Sequence, residues 1–66
     1  MNKKEKALFK ALCKFEEDKF DADLLAYASP EVLGHLFANR MQGVAFGTLK
    51  KYQLLGKVNR EFRNSL

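Results

Sequence analysis

The chain has 66 residues, of which 47% are hydrophobic and 30% are charged, and its formal net charge is +4. This length allows a single domain over residues 1–66, and one cysteine excludes an intrachain disulfide, so stability must come from apolar packing or from self-association into a homodimer. Residues 1–6 are too polar for a signal peptide and no apolar run approaches the ~20 residues of a membrane span, so we expect a cytoplasmic protein with no membrane partner.

The first predicted element is an amphipathic helix. Leu8, Leu12 and Phe15 recur at steps of four and three residues, which predicts roughly four turns of helix. Like charges lie three or four residues apart on its outer face, where each neighbouring pair costs a few tenths of a kcal/mol. The residues of this outer face are Lys3, Lys6, Lys10 and Lys14.

A short second helix is predicted next. Asp21 is a suitable N-cap for a helix that runs through Leu24 and Leu25 to Tyr27. The acidic residues 16–18 suit the positive start of that helix better than the negative end of the first one. We therefore expect a break between the two helices near residues 19 and 20.

The clearest helix start is the sequence Ser29-Pro30-Glu31. Serine can cap free N–H groups, proline suits the first helical position, and glutamate favours the positive end of the helix dipole. The helix should end before Gly43, which we expect to be the left-handed residue that closes it. Its predicted apolar face is Val32 or Leu33, then Leu36, Phe37 and Met41.

From residue 44 onwards, apolar residues follow at steps of three and four, which predicts one long helix or two collinear ones. Gly56 is the expected break, because glycine in a helix interior costs about 1 kcal/mol relative to alanine. The predicted fold is therefore all-α, a small compact bundle of about four helices. The apolar residues that follow these steps, which we call the apolar stripe, are Ala45, Leu49, Tyr52, Leu55, Val58, Phe62 and Leu66.

The predicted helices on either side of Gly43 form a pair that is typical of a DNA-binding helix-turn-helix. The spacing Gly-Val-x-x-x-Thr-Leu-x-x-Tyr is formed by Gly43, Val44, Thr48, Leu49 and Tyr52. This stretch resembles the recognition region of MerR-type regulators, with Lys50 where that family usually has arginine. The resemblance implies a DNA-binding regulator, but it covers ten of 66 residues and departs from the family pattern at Asn39 and Lys51, so we assign no family.

The basic charge lies in the second half of the chain. Residues 34–66 carry six Lys or Arg and one acid, a net +5, whereas residues 1–33 carry six lysines and seven acids, a net −1. Such an asymmetry attracts nucleic acid or an acidic protein surface. Residues 45–48 would read bases poorly, so phosphate contacts should dominate and make the affinity salt-sensitive. The predicted nucleic-acid contacts are Arg40, Gln42, Lys50, Lys51, Lys57, Arg60 and Arg63.

A helical protein-interaction module is the alternative prediction. The aromatic residues supply more area than so small a core is expected to hide, and an exposed ring would anchor another helix or a second copy. Phe46 is the main candidate, because it falls on the Lys50 side of its helix rather than with Leu49. Packing of Phe46 against the first helix is the structural interpretation of the same residue.

We predict neither enzymatic activity, nor a metal site, nor a cofactor. Cys13 and His35 are the available nucleophile and base, but they lie on different predicted helices without a third orienting group. Cys13 borders an apolar face, as a buried structural cysteine does. One cysteine and one histidine also supply too few ligands for a tetrahedral zinc site.

Overall fold

The computed structural model describes residues 1–14 and 20–66, so Phe15 and the acidic residues 16–18 lie outside the described part. Within that part, four α-helices and one 3₁₀-helix are present without a strand, which confirms the predicted all-α fold. The elements are α1 (Lys3–Cys13), η1 (Ala22–Tyr27), α2 (Pro30–Ala38), α3 (Gln42–Lys51) and α4 (Arg60–Ser65).

The predicted helix starts are confirmed at two capping residues. The Asp21 carboxylate accepts a hydrogen bond from the Asp23 N–H at 3.0 Å and caps η1, which is a 3₁₀-helix. The Ser29 hydroxyl accepts from the Val32 N–H at 3.3 Å and caps α2, with proline at the first helical position. Both starts were predictable because a cap is a local interaction between residues two or three apart.

The first turns of α1 and α2 are joined through one carboxylate. The Asn2 side chain accepts from the Glu5 N–H at 2.8 Å, and the Glu5 carboxylate accepts from the Asn2 N–H at 3.1 Å, which forms a capping box. Ser29 also donates its hydroxyl hydrogen to Glu5. The hydrogen bond from Ser29, followed by that from Asn2, holds the pKa of Glu5 below its ordinary value. Beside them, the Met1 amino group lies 3.5 Å from the Glu31 carboxylate.

The end of α2 shows that one prediction was wrong. Gly43 does not close the helix: α2 ends at Ala38, and Gly43 lies in the first turn of α3 with no positive φ. The left-handed residue is Arg40, with φ 56°. The Arg40 N–H donates to the Phe37 carbonyl at 3.1 Å, and the Met41 N–H donates to the Leu36 carbonyl at 2.8 Å. These two hydrogen bonds form a Schellman motif. We call residues 39–41 the Arg40 turn.

The end of α3 repeats this geometry, and of the two predicted alternatives it leaves two helices rather than one long helix. Gln53 has φ 57°, its N–H donates to Lys50 at 3.1 Å, and the Leu54 N–H donates to Leu49 at 2.8 Å. We call residues 52–54 the Gln53 turn. Gly56 lies after this break, in the turns that lead to α4. The break comes early because the apolar residue that follows Gln53 is buried in the core, 7% exposed, which a continuing helix would not allow.

The core lies where α1, α2 and α3 meet, with η1 and α4 contributing one side chain each. Most of the predicted stripe residues are buried or packed against it, but Phe37, predicted on the apolar face of α2, is 44% exposed. The first helix is also shorter than predicted, at 11 residues or about three turns. The buried residues are Leu8, Leu12, Leu25, Val32, Leu36, Ala45, Leu49, Leu54, Val58 and Phe62.

Candidate nucleic-acid interface

The two faces of α3 differ in burial and in chemistry. Its inner face is fully buried and consists of Ala45, Thr48 and Leu49. Its exposed face, which we call the outer face of α3, consists of Gly43, Phe46, Lys50 and Lys51. At 100° per residue these two sets lie on opposite sides of the helix, so the packing of the inner face decides where the outer face points.

A buried hydroxyl fixes α3 against α1. The Thr48 hydroxyl donates to the carbonyl oxygen of Leu12 at 2.9 Å and to that of Val44 at 3.0 Å. Leu12 belongs to the last turn of α1, where carbonyl groups lack partners within the helix. Rotating α3 would separate the Leu12 carbonyl from this donor, although the bond to Val44, within α3 itself, would remain. The outer face is therefore held in one orientation.

The start of α3 differs from the starts of the other helices. Among the described residues, no side chain caps α3, whose N-cap is Met41. The other helices are capped by Asn2, Asp21, Ser29 and Asn59. A Cβ placed on Gly43 would meet no atom within 4 Å, so the backbone there is open to solvent. With the Arg40 turn immediately before it, this end of α3 favours negative charge.

Four of the predicted contact residues are exposed cations that have no carboxylate partner in the described ranges. Within residues 1–14 and 20–66, no ion pair reaches any of them, and the ion pair that is present joins Met1 to Glu31. The acid of the second half, Glu61, is itself exposed on α4. The four residues are Arg40, Lys50, Lys57 and Arg60. A fifth cation, Lys51, places its ammonium group 5.3 Å from the centre of the Tyr52 ring.

The structure makes the two other predicted contacts less available. The amide oxygen of Gln42 is buried and has no hydrogen-bond partner among the described residues. The guanidinium of Arg63 is half-buried and donates to the Leu55 carbonyl at 3.4 Å. Arg60 and Arg63 belong to α4, which packs against α2. Lys50 and Lys51 lie on the outer face of α3, so the predicted contacts are divided between two helices.

In the described part of the chain, three large aromatic side chains are exposed: Tyr27 at 38%, Phe37 at 44% and Phe46 at 39%. Phe46 lies one helical turn before Lys50, so an apolar ring and a cation are neighbours on the outer face of α3. Because an α-helix turns by 100° per residue, Phe46 lies away from the apolar stripe, and the sequence therefore indicates that its ring is exposed. No comparable signal marks Phe37, whose spacing matches the apolar face of α2.

A groove of about 460 Å³ lies between the first turn of α2 and α4. Its lining is largely apolar and includes Pro30, Leu33 and Phe62, with Arg60 and Glu61 beside them. Phe37 is one turn beyond Leu33 on the same side of α2, so the apolar surface continues past the groove. The sequence does not indicate this groove, because it depends on how α4 packs against α2 after the chain turns between α3 and α4.

Cys13 and His35, the available nucleophile and base, make contacts of a structural kind. His35 places Nδ1 2.9 Å from the carbonyl oxygen of Glu31, and its ring meets the edge of Phe9 at a centre-to-centre distance of 6.2 Å. Cys13 is half-buried, and burial raises the pKa of its thiol, which disfavours the reactive thiolate. Among the described residues, no three His, Cys, Asp or Glu side chains gather as metal ligands, and no helix is long and apolar enough to cross a membrane.

No family model, curated protein or solved structure matches this chain. The likeness to MerR-type regulators therefore depends on its ten residues alone. Of these, Thr48 and Leu49 are buried, and Val44 and Tyr52 are half-buried. The likeness thus lies mostly in residues that pack α3 into the bundle.

Proposed function

We propose that this protein is a small non-enzymatic module that binds nucleic acid through the outer face of α3 and the Arg40 turn. One observation carries the proposal: Arg40, in the turn before α3, and Lys50, on the outer face of α3, are both exposed without a carboxylate partner among the described residues. In a half-chain of net charge +5, such cations are available to phosphate groups.

The geometry favours phosphate contacts over base recognition. Hydrogen-bonding side chains near the start of a recognition helix read base edges, yet the Gln42 amide oxygen is turned into the protein and the Thr48 hydroxyl is bonded inside the core. Lys50 and Arg40 can neutralise phosphates, and Lys57, exposed in the connection to α4, can add a further contact. The expected binding is weakly specific and salt-sensitive.

Fluorescence anisotropy with a labelled mixed-sequence oligonucleotide, as a single strand and as a duplex, tests this proposal. Affinity should fall steeply between about 50 and 200 mM salt. The double variant Arg40→Gln, Lys50→Gln should bind more weakly and reduce the slope of log K against log salt by about 1 to 2.

The matched control is Lys3→Gln, Lys10→Gln, which removes the same charge from exposed positions on α1. This variant should keep most of the affinity and most of the salt slope, since α1 lies outside the proposed interface. Absence of binding at low salt would refute the function. An equal loss in the control would show that net charge, rather than this face, is responsible.

Self-association is a second candidate function, favoured by the apolar groove between α2 and α4 and by the exposed ring of Phe37 beyond it. Under this function, light scattering at increasing concentration gives the mass of a dimer, and Phe37→Glu restores the monomer without loss of helicity. A monomeric mass at every concentration would remove this candidate.

A further inference from the structure

We propose that the nucleic acid bound at the outer face of α3 is single-stranded, and that Phe46 stacks on one of its bases. This inference rests on the proposed function and specifies its substrate class. It follows from what the outer face of α3 offers to a base, and from what it lacks.

Apart from its lysines, the outer face of α3 offers few side-chain hydrogen bonds to base edges. Gly43 has no side chain, the amide oxygen of Gln42 is buried, and the hydroxyl of Thr48 is bonded inside the core. The cations of this face suit phosphate, so Phe46 is the side chain left to contact a base. A phenyl ring has no donor or acceptor, and sequence readout in a major groove requires them.

A phenyl ring can instead stack on the face of a base. In a duplex both faces of a base are covered by its neighbours, whereas in a single strand they are accessible. The ring of Phe46 is 39% exposed, so it is free to form such a contact. Stacking of this kind contributes roughly 1–3 kcal/mol per base and does not depend on sequence.

A cation lies beside this ring. Lys50 is one helical turn after Phe46, which places the two Cβ atoms about 5–6 Å apart on the same face. A base stacked on Phe46 and a phosphate of the same strand can therefore be held together. Proteins that bind single strands without sequence preference combine these two features, stacking rings and a positively charged track.

The length of the surface also suits a short single strand. From Gly43 to Lys50 the outer face rises by about 10 Å, at 1.5 Å per residue. Tight duplex binding through the backbone draws on roughly six to ten phosphate contacts, more than the exposed cations of α3 and the Arg40 turn can make. A few nucleotides of a flexible strand are a better match to this surface.

The first test compares a labelled oligothymidylate of roughly 20 nucleotides with a duplex of equal length in anisotropy titrations at low salt. The single strand should bind about tenfold more tightly than the duplex. Phe46→Ala should weaken binding of the single strand by about 5- to 150-fold, the equivalent of 1–3 kcal/mol, without changing the salt slope. Circular dichroism checks that helicity is kept.

The second test uses the absence of tryptophan from the sequence. In Phe46→Trp the indole is the only one in the protein, it can still stack, and its fluorescence should be quenched when the oligothymidylate binds. Phe37→Trp is the matched control: Phe37 is also exposed, at 44%, but lies on α2, and its fluorescence should not change.

The outcomes separate the inference from the function on which it rests. Equal or tighter binding of the duplex, with Phe46→Ala unaffected, would overturn the single-strand inference and leave nucleic-acid binding in place. Failure of both oligonucleotides to bind at low salt would overturn both. A fall in oligomeric mass in Phe46→Ala, with nucleic-acid binding unchanged, would assign the ring to a protein contact and refute the stacking.

Discussion

The Arg40 turn and the Gln53 turn have the same backbone and different side chains. Each ends a helix with one residue near φ 56–57°, followed by an apolar residue whose N–H bonds back to the helix at 2.8 Å. Left-handed conformations usually favour glycine, yet neither turn contains one. What the two turns have in common is an apolar residue that packs on the core, Met41 in one and Leu54 in the other. Burial of that residue, rather than glycine, therefore sets where these helices end.

The largest change in stability is expected when the buried apolar residue of each turn is truncated. Leu54→Ala should lower the free energy of unfolding by about 2–4 kcal/mol, because Leu54 is only 7% exposed. Met41→Ala should cost less, about 1–2 kcal/mol, since Met41 is half-buried. Urea denaturation followed by circular dichroism measures both. Equal and small losses would show that burial at these positions does not determine the turns.

A smaller effect should come from the left-handed residues. Arg40→Gly and Gln53→Gly should each raise the free energy of unfolding by about 0.5–1 kcal/mol, because a side chain in this conformation is strained. The gain should be equal in the two turns. Affinity for nucleic acid should fall in Arg40→Gly alone, since Gln53 carries no charge. Anisotropy and denaturation on the same two variants provide the comparison, and equal affinity in both would remove Arg40 from the interface.

The smallest change in stability is expected for Arg40→Gln, which makes the two turns identical at the left-handed position. The free energy of unfolding should stay within about 0.5 kcal/mol, as for most surface substitutions. Nucleic-acid affinity should still fall, with a salt slope reduced by about 1. A stability loss well above this range would mean that the guanidinium supports the fold.

The starts of η1 and α2 were predictable from sequence, whereas the ends of α2 and α3 were not. Ser29 and Asp21 act on N–H groups two or three residues away, so their effect is visible in the local sequence. The ends depend on whether Met41 and Leu54 reach a core built from distant segments. Glycine was therefore a poor guide, and Gly43 proved to lie inside a helix.

The candidate site was predictable in composition but not in arrangement. Net charge alone identified the cations, and helical spacing set Phe46 apart from the apolar stripe. The division between α3 and α4 depends on the Gln53 turn, which ends α3 before the predicted break at Gly56. The inward direction of the Gln42 amide oxygen depends on packing that no local pattern records.

Glu5 gives the molecule a sensitivity to acid that is separate from its proposed binding face. Its carboxylate serves the first turns of both α1 and α2, and its pKa is lowered in the folded state. Its stabilising contribution is therefore present above the unfolded-state pKa of about 4.3 and is lost as the pH falls through the lower folded-state value. Acidification below the ordinary Glu pKa should thus loosen the junction between α1 and α2, which lies apart from the outer face of α3.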